Sequence, residues 1–260
     1  MGSVRVYIVL PDLSESKAEA LCSLAGRWRP VDVLVSYTVL RWKPVVMPRL
    51  RRLKAEGCVG GVMIDSGAYH IMRLGERVDP AGYAEYLNKH RGLADTVVAP
   101  DIPGSPGETV ERTLEFMSHY RGPFIPVLQG GGISSYRACL EDMIGYGILE
   151  RAPRLPDGRT LIGIGGLDGA KKRVGFVSSL LEALPRDGYA YHIFGVGVRV
   201  LRGLRRRGLL GSVYSVDSSG WLSEIMWRRR TVYRAETPVE ANMQAIHGYL
   251  LKAEAAVAEA

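Results

Sequence analysis

Apolar residues along this chain fall into eight short runs, separated by longer stretches whose apolar positions recur at helical spacing. The runs are VRVYIVL from Val4, VDVLVSYTVL from Val31, VGGVMID from Val59 and DTVVAP from Asp95. They continue with FIPVLQ from Phe124, TLIGIGG from Thr160, YAYHIFGVG from Tyr189 and SVYSVDS from Ser212. Each is rich in Val and Ile and apolar on both faces, as a parallel strand covered on both sides must be. Amphipathic segments follow each run, among them SESKAEALCSLAGRW after the first and SPGETVERTLEFMSHY after the fourth. The last begins at Trp221, and within it Thr237-Pro238-Val239-Glu240 gives a capping-box signal with proline at the first helical position.

Eight strand-then-helix units in 260 residues predict an α/β fold, a (β/α)8 TIM barrel forming a single domain over 1–260. Residues 221–260 are expected to form a C-terminal helical segment closing the barrel. An open doubly wound sheet is the competing reading. Its support is Gly163-Ile164-Gly165-Gly166-Leu167-Asp168-Gly169, which departs from G-x-G-x-x-G and lies in the sixth unit.

Composition narrows the setting more than the fold. Hydrophobic residues make up 47% and charged residues 23%, which excludes a disordered chain. No uncharged apolar run reaches the ~18 residues a membrane span needs, and the N-terminus lacks the features of a signal peptide. Cys22, Cys58 and Cys139 are odd in number and far apart, with no C-x-C or C-x-x-C. The expectation is therefore no disulfide framework, no metal and a reducing, cytoplasmic setting.

The net charge of +7 is concentrated in arginine clusters at 49–52, 202–207 and 228–230. Such clusters suit a polyanionic partner such as nucleic acid, although a charge run is also the ordinary solvated face of a helix. Asn and Gln are scarce (Asn88, Asn242, Gln129, Gln244), which points to a thermophile or a biased genome.

In a barrel of this kind the chemistry lies where the strands end and the loops begin. The third run ends in Asp65-Ser66-Gly67-Ala68-Tyr69, the fourth in Pro100-Asp101-Ile102-Pro103-Gly104, and the fifth in Gln129-Gly130-Gly131-Gly132. The sixth ends in Gly163-Ile164-Gly165-Gly166, the seventh in Phe194-Gly195-Val196-Gly197, and the eighth in Asp217-Ser218-Ser219-Gly220-Trp221. Any one aspartate before Ser-Gly is more often a cap, and glycines end strands for backbone reasons. Three carboxylates and an amide on one rim point instead to a site. Two carboxylates on opposing strands suit glycosidic chemistry, one as nucleophile and one handling a proton. Tyr69 and Phe194 could give stacking faces for a flat ligand.

In order along the chain, Asp65-Ser66-Gly67-Ala68-Tyr69, Asp101, Gln129-Gly130-Gly131, Gly165-Gly166-Leu167, Phe194-Gly195-Val196-Gly197 and Asp217 resemble the motifs of the tRNA-guanine transglycosylase superfamily. The stretch Tyr214 to Trp221 looks more like its short zinc-less relatives, which include the DNA 7-deazaguanine transglycosylases. The resemblance implies a glycosyltransferase that replaces guanine in DNA or tRNA with a 7-deazaguanine, through a covalent aspartyl-ribosyl intermediate and without a cofactor. It implies Asp217 as nucleophile and Asp65 as proton acceptor. Asp101, Gln129, Gly130, the Gly165 amide, Gly166 and Ser66 would bind the base between Tyr69 and Phe194.

The chain departs from the tRNA enzymes in having no C-terminal zinc module, and Ala68 stands where the family has glycine. Two alternatives remain open at this point: a base-releasing N-glycosidase and a non-catalytic nucleic-acid-binding barrel. The oligomeric state is open as well, with a homodimer allowed.

Overall fold

The computed structural model describes residues 4–68, 74–75, 77–167, 169, 173–228 and 235–258. Its strands are β1 (Arg5–Val9), β2 (Val31–Ser36), β3 (Val59–Asp65), β4 (Thr96–Val97), β5 (Val127–Leu128), β6 (Thr160–Ile164), β7 (Tyr189–Ile193) and β8 (Val213–Ser218). The helices are α1 (Glu15–Arg27), α2 (Tyr37–Trp42), α3 (Val46–Ala55), α4 (Pro80–Lys89) and α5 (Pro106–His119). They continue with α6 (Ile133–Gly145), α7 (Val174–Ala183), α8 (Val198–Arg206), α9 (Gly220–Arg228) and α10 (Pro238–Ala258).

All strand pairs are parallel, in the order β4-β3-β2-β1-β8-β7-β6-β5. The two edges of that order meet through a parallel bridge between Val98 and Ile125, where Ile125 N donates to Val97 O at 2.8 Å and Ala99 N to Ile125 O at 2.9 Å. The sheet is thus a closed (β/α)8 barrel with no free strand edge. The apolar runs are apolar on both faces because each strand serves two cores. Tyr7, Leu34, Met63, Val98, Ile125 and Leu161 fill the barrel interior, while a larger shell between sheet and helices takes residues such as Ile8, Val33, Ile64 and Ile193.

Helix α10 packs against α1 on one side and α8 and α9 on the other, covering β1 where the ring of helices meets itself. Its start follows the capping signal in part: Glu240 N donates to Thr237 Oγ1 at 3.2 Å. The Glu240 carboxylate, however, accepts from Glu236 N rather than from Thr237 N. No helix among the described residues is long and apolar enough to cross a membrane.

Two sequence expectations fail here. The second apolar run does not continue as a strand through Leu40. β2 stops at Ser36, whose hydroxyl accepts from Val39 N at 3.4 Å and caps the short helix α2. The cysteines also do not all stay unpaired, because Cys22 and Cys58 form a disulfide across 36 residues of chain. Cys22 lies on α1 and Cys58 immediately before β3, and the packing of those elements brings their Cα atoms to 4.4 Å. This pairing removes the argument for a reducing setting, which rested on unpaired thiols. Cys139 remains free and buried.

The basic cluster on α3 is engaged within the fold: Arg49 and Arg52 both pair with Glu15 of α1, at 3.0 and 2.8 Å.

Candidate active site

A cavity of about 440 Å³ opens at the C-terminal ends of the strands. Its floor carries Asp65 from β3, Asp101 from the segment after β4, and Asp217 from β8. Val9, Leu10, Leu34, Val39 and Trp42 make an apolar wall on one side; Phe194, Gly165 and Gly166 face it from the other. Lys43 stands at the exposed rim, with Nζ donating to Pro11 O at 3.1 Å.

The three aspartates have very different partners. Asp217 is held tightly: Oδ1 accepts the Gly195 N–H at 3.0 Å and faces His192 Nε2 at 3.2 Å. Asp101 Oδ2 accepts a short hydrogen bond from Gln129 Nε2, and Gln129 Oε1 in turn accepts from Gly104 N at 3.1 Å. Asp65 is the exception, for its Oδ1 is buried with no hydrogen-bond partner among the described residues.

Charge and burial act on these groups together. Burial, then the nearby charges of Asp217 and Asp101, push the Asp65 carboxyl up to about 7, with the Gly67 N–H opposing. Burial pushes Asp101 up to about 6, against the pull of the Gln129 amide. Both side chains keep slight access to the cavity, and protein surrounds them elsewhere. The arrangement therefore holds a proton at the cavity floor near neutral pH, and it favours neutral or cationic donor-rich groups over anions.

The expected site residues separate into three sets. Asp65, Asp101, Asp217, Gly165, Gly166 and Phe194 line the cavity. Gln129 is wholly buried behind Asp101, and Ser66 is buried with Oγ accepting from Ala68 N at 3.3 Å. Gly130 lies against Ser135 and Tyr136 of α6, where a Cβ would come within 2.6 Å of Ser135 Oγ. Tyr69 lies outside the described residues.

The Gly165 amide is not free to read a ligand, because it donates to Leu128 O at 3.0 Å in the β5–β6 pairing. Sequence reasoning missed His192 and Ser215. His192 stands in the middle of an apolar run, and only its polarity there could have marked it. Among the described residues, one group of His, Cys, Asp and Glu has ligand atoms close enough to share an ion, namely Cys22, Glu56 and Cys58. Its two sulfurs are bonded to each other.

No family profile matches the chain, and no curated protein matches it. Solved structures match over nearly the whole length. A putative fructose-1,6-biphosphate aldolase from Coccidioides immitis is 12% identical with a TM-score of 0.61, covering 98% of this chain and 91% of that one. The YdjI aldolase from Escherichia coli K12 is 8% identical with a TM-score of 0.56, covering 98% and 92%. A structure described as native KDPGal is 13% identical with a TM-score of 0.54, covering 99% and 98%. At these identities the likeness establishes the barrel and not the reaction.

The neighbours correct the resemblance drawn from the motifs. Two of them are described as aldolases, one of these as putative, and none as a tRNA-guanine transglycosylase. Guanine exchange in nucleic acid loses its support, and so do the N-glycosidase and the nucleic-acid-binding alternatives. The physical reason lies in the glycines that carried the motifs. Gly67, Gly166 and Gly195 have φ of +75°, +65° and +66°, so left-handed turns at strand ends require them whatever the ligand. What the chain shares with known structures is the (β/α)8 barrel, and that is where its identification rests.

Proposed function

We propose that the chain is an enzyme that moves a proton next to a carbonyl group of a small substrate, with Asp65 as the general acid and Asp217 as the base. The observation that carries this reading is the Asp65 carboxyl, buried without a partner on Oδ1 and titrating near neutrality. A neutral carboxylic acid in such a place donates a hydrogen bond to an oxygen on which negative charge develops. Asp217, with Oδ1 occupied by N–H groups, offers its other oxygen to the proton that leaves carbon. Asp101, braced by Gln129, accepts from donor groups of the substrate and fixes its orientation.

Proton transfer beside a carbonyl is a step common to enolisation and aldol chemistry, and the aldolases among the fold neighbours agree with it. The cavity is larger than a three-carbon fragment needs, and its apolar wall with Trp42 suits a substrate with an apolar portion beyond its polar head. Lys43, the lysine that lines the cavity among the described residues, sits at the rim. That position favours the floor carboxyls over an amine as the reacting groups.

The test is α-proton exchange in D2O, followed by proton NMR across a panel of uncharged hydroxyketones and hydroxyaldehydes. Exchange that requires the protein and falls about 10²- to 10⁴-fold in Asp65→Asn and Asp217→Asn supports the assignment. Exchange that persists in Asp65→Asn removes Asp65 from the chemistry. Borohydride trapping of a substrate carbonyl on Lys43 would transfer the reaction to the amine.

A further inference from the structure

β7 and β8 do not pair in simple register. Tyr191 lies opposite Val213, but the next residue, His192, lies opposite Ser215, so β8 carries one extra residue at this point. A bulge of this kind exchanges the faces of all side chains beyond it. In regular pairing Tyr214 would stand opposite His192, and Ser215 and Asp217 would point outward toward the helices. The extra residue turns both inward. Ser215 is fully buried against His192, and Asp217 reaches the cavity.

We infer that His192 and Ser215 are positioning residues, a buried relay that grips Asp217 by Oδ1 and leaves Oδ2 for the substrate. His192 is wholly buried and absent from the cavity lining, so it acts through Asp217 and not on a ligand. Aromatic rings fix its plane: Phe194 lies edge-on at 4.3 Å between centroids and Tyr7 at 6.0 Å.

The hydrogen-bond chemistry fixes its tautomer. An ionised carboxylate only accepts, so the hydrogen belongs on Nε2, 3.2 Å from Asp217 Oδ1. Nδ1 is then the acceptor, and the Ser215 hydroxyl at 2.8 Å donates to it. Other ionisable groups around this cluster are Tyr7 on β1, Asp65 on β3, Tyr249 on α10, and Arg5, which lies in register with Ser215 but pairs with Asp32. Among the described residues none of these offers Asp217 a cation, and its hydrogen bonds come from His192 and the Gly195 amide.

The purpose of the relay rests on Asp217 acting as the proton acceptor, while its existence is tested separately. Imidazole nitrogen NMR on the whole 15N-labelled chain, with His192→Gln to assign the signal, reads the tautomer directly. His192 is expected as the Nε2–H form; an Nδ1–H ring overturns the relay. Benzamidinium, a planar amidinium cation, probes the carboxylate floor.

His192→Phe is expected to lose about tenfold or more in benzamidinium affinity. His192→Gln retains an N–H donor toward Asp217 and is expected to stay within about threefold of the parent. Equal losses in the two variants that follow their melting temperatures overturn the positioning role and leave only packing. If His192→Phe does not fold, Ser215→Ala carries the same decision. A mixed tautomer with weakened binding supports the relay, and an unchanged tautomer with unchanged binding overturns it. Benzamidinium that fails to bind the parent protein counts against the proposed donor-rich substrate, while the tautomer still decides the relay.

Discussion

The two ends of this barrel use carboxylates in opposite ways. At the N-terminal end of the strands Asp32 is fully engaged. Arg5 Nε and Nη2 donate to its two oxygens at 3.1 and 2.8 Å, and the Gly61 N–H donates at 2.6 Å. Gly60 and Gly61 leave room for it, since a Cβ at either would lie within 2.9 Å of Oδ1. At the C-terminal end Asp65 has an unpartnered buried oxygen and two like charges beside it. One end satisfies its half-buried charge; the other leaves a carboxyl with an open oxygen facing a cavity. On the proposed reading the same fold separates stability from chemistry along its axis, as strand-end sites in such barrels do.

The sharpest break in that comparison comes from Asp65→Asn. Activity is expected to fall about 10²- to 10⁴-fold, while stability rises at pH 8. The sign follows from linkage. The carboxyl titrates near 7 in the folded protein against an ordinary value of 3.8, so the folded state binds the proton more tightly. Stability is therefore lost as pH rises from about 4 to about 7, and removing the group recovers up to about 4 kcal/mol above that window. Urea unfolding at pH 4 and pH 8 measures it: a gain at pH 8 and almost none at pH 4.

Reduction of the Cys22–Cys58 disulfide should cost about 3–4 kcal/mol from the 36-residue separation it closes, with no change in activity per folded molecule. Denaturation with and without reductant reads that loss.

At the sealed end Asp32→Ala should cost about 2–3 kcal/mol, because it strands the Arg5 guanidinium and the Gly61 amide. The kcat/KM of the surviving folded protein should not change. An equal loss of kcat/KM would mean that the two ends are coupled.

The smallest effect is on the pH profile. With Asp65 as the acid, kcat/KM declines as pH rises through about 7. In Asp217→Asn that limb should move to lower pH, since one of the repelling charges is gone.

The fold was legible because every strand left an apolar run, even where only Thr96–Val97 or Val127–Leu128 is regular strand. Helix α2 was not, because Thr38, Val39 and Leu40 read as strand until the Ser36 cap is known. At the site, Asp65, Asp101, Asp217 and Gln129 were legible from their position at strand ends. The inward direction of Asp217 was not, since it depends on a one-residue register shift in β8. The disulfide depends on how α1 packs beside β3, which no cysteine spacing reveals. The family motifs misled for a related reason. Glycine in left-handed turns after parallel strands answers a need of the backbone, and barrels of unrelated chemistry share it.

The central claim, a proton held by Asp65 at neutral pH, is tested most directly by following its side-chain carboxyl carbon by 13C NMR through a pH titration. Asp65→Asn assigns the signal. A midpoint near 7 that falls in Asp217→Asn is the result expected from burial and like-charge repulsion. A midpoint near 4, unmoved in Asp217→Asn, would contradict the account and leave the cavity without its acid.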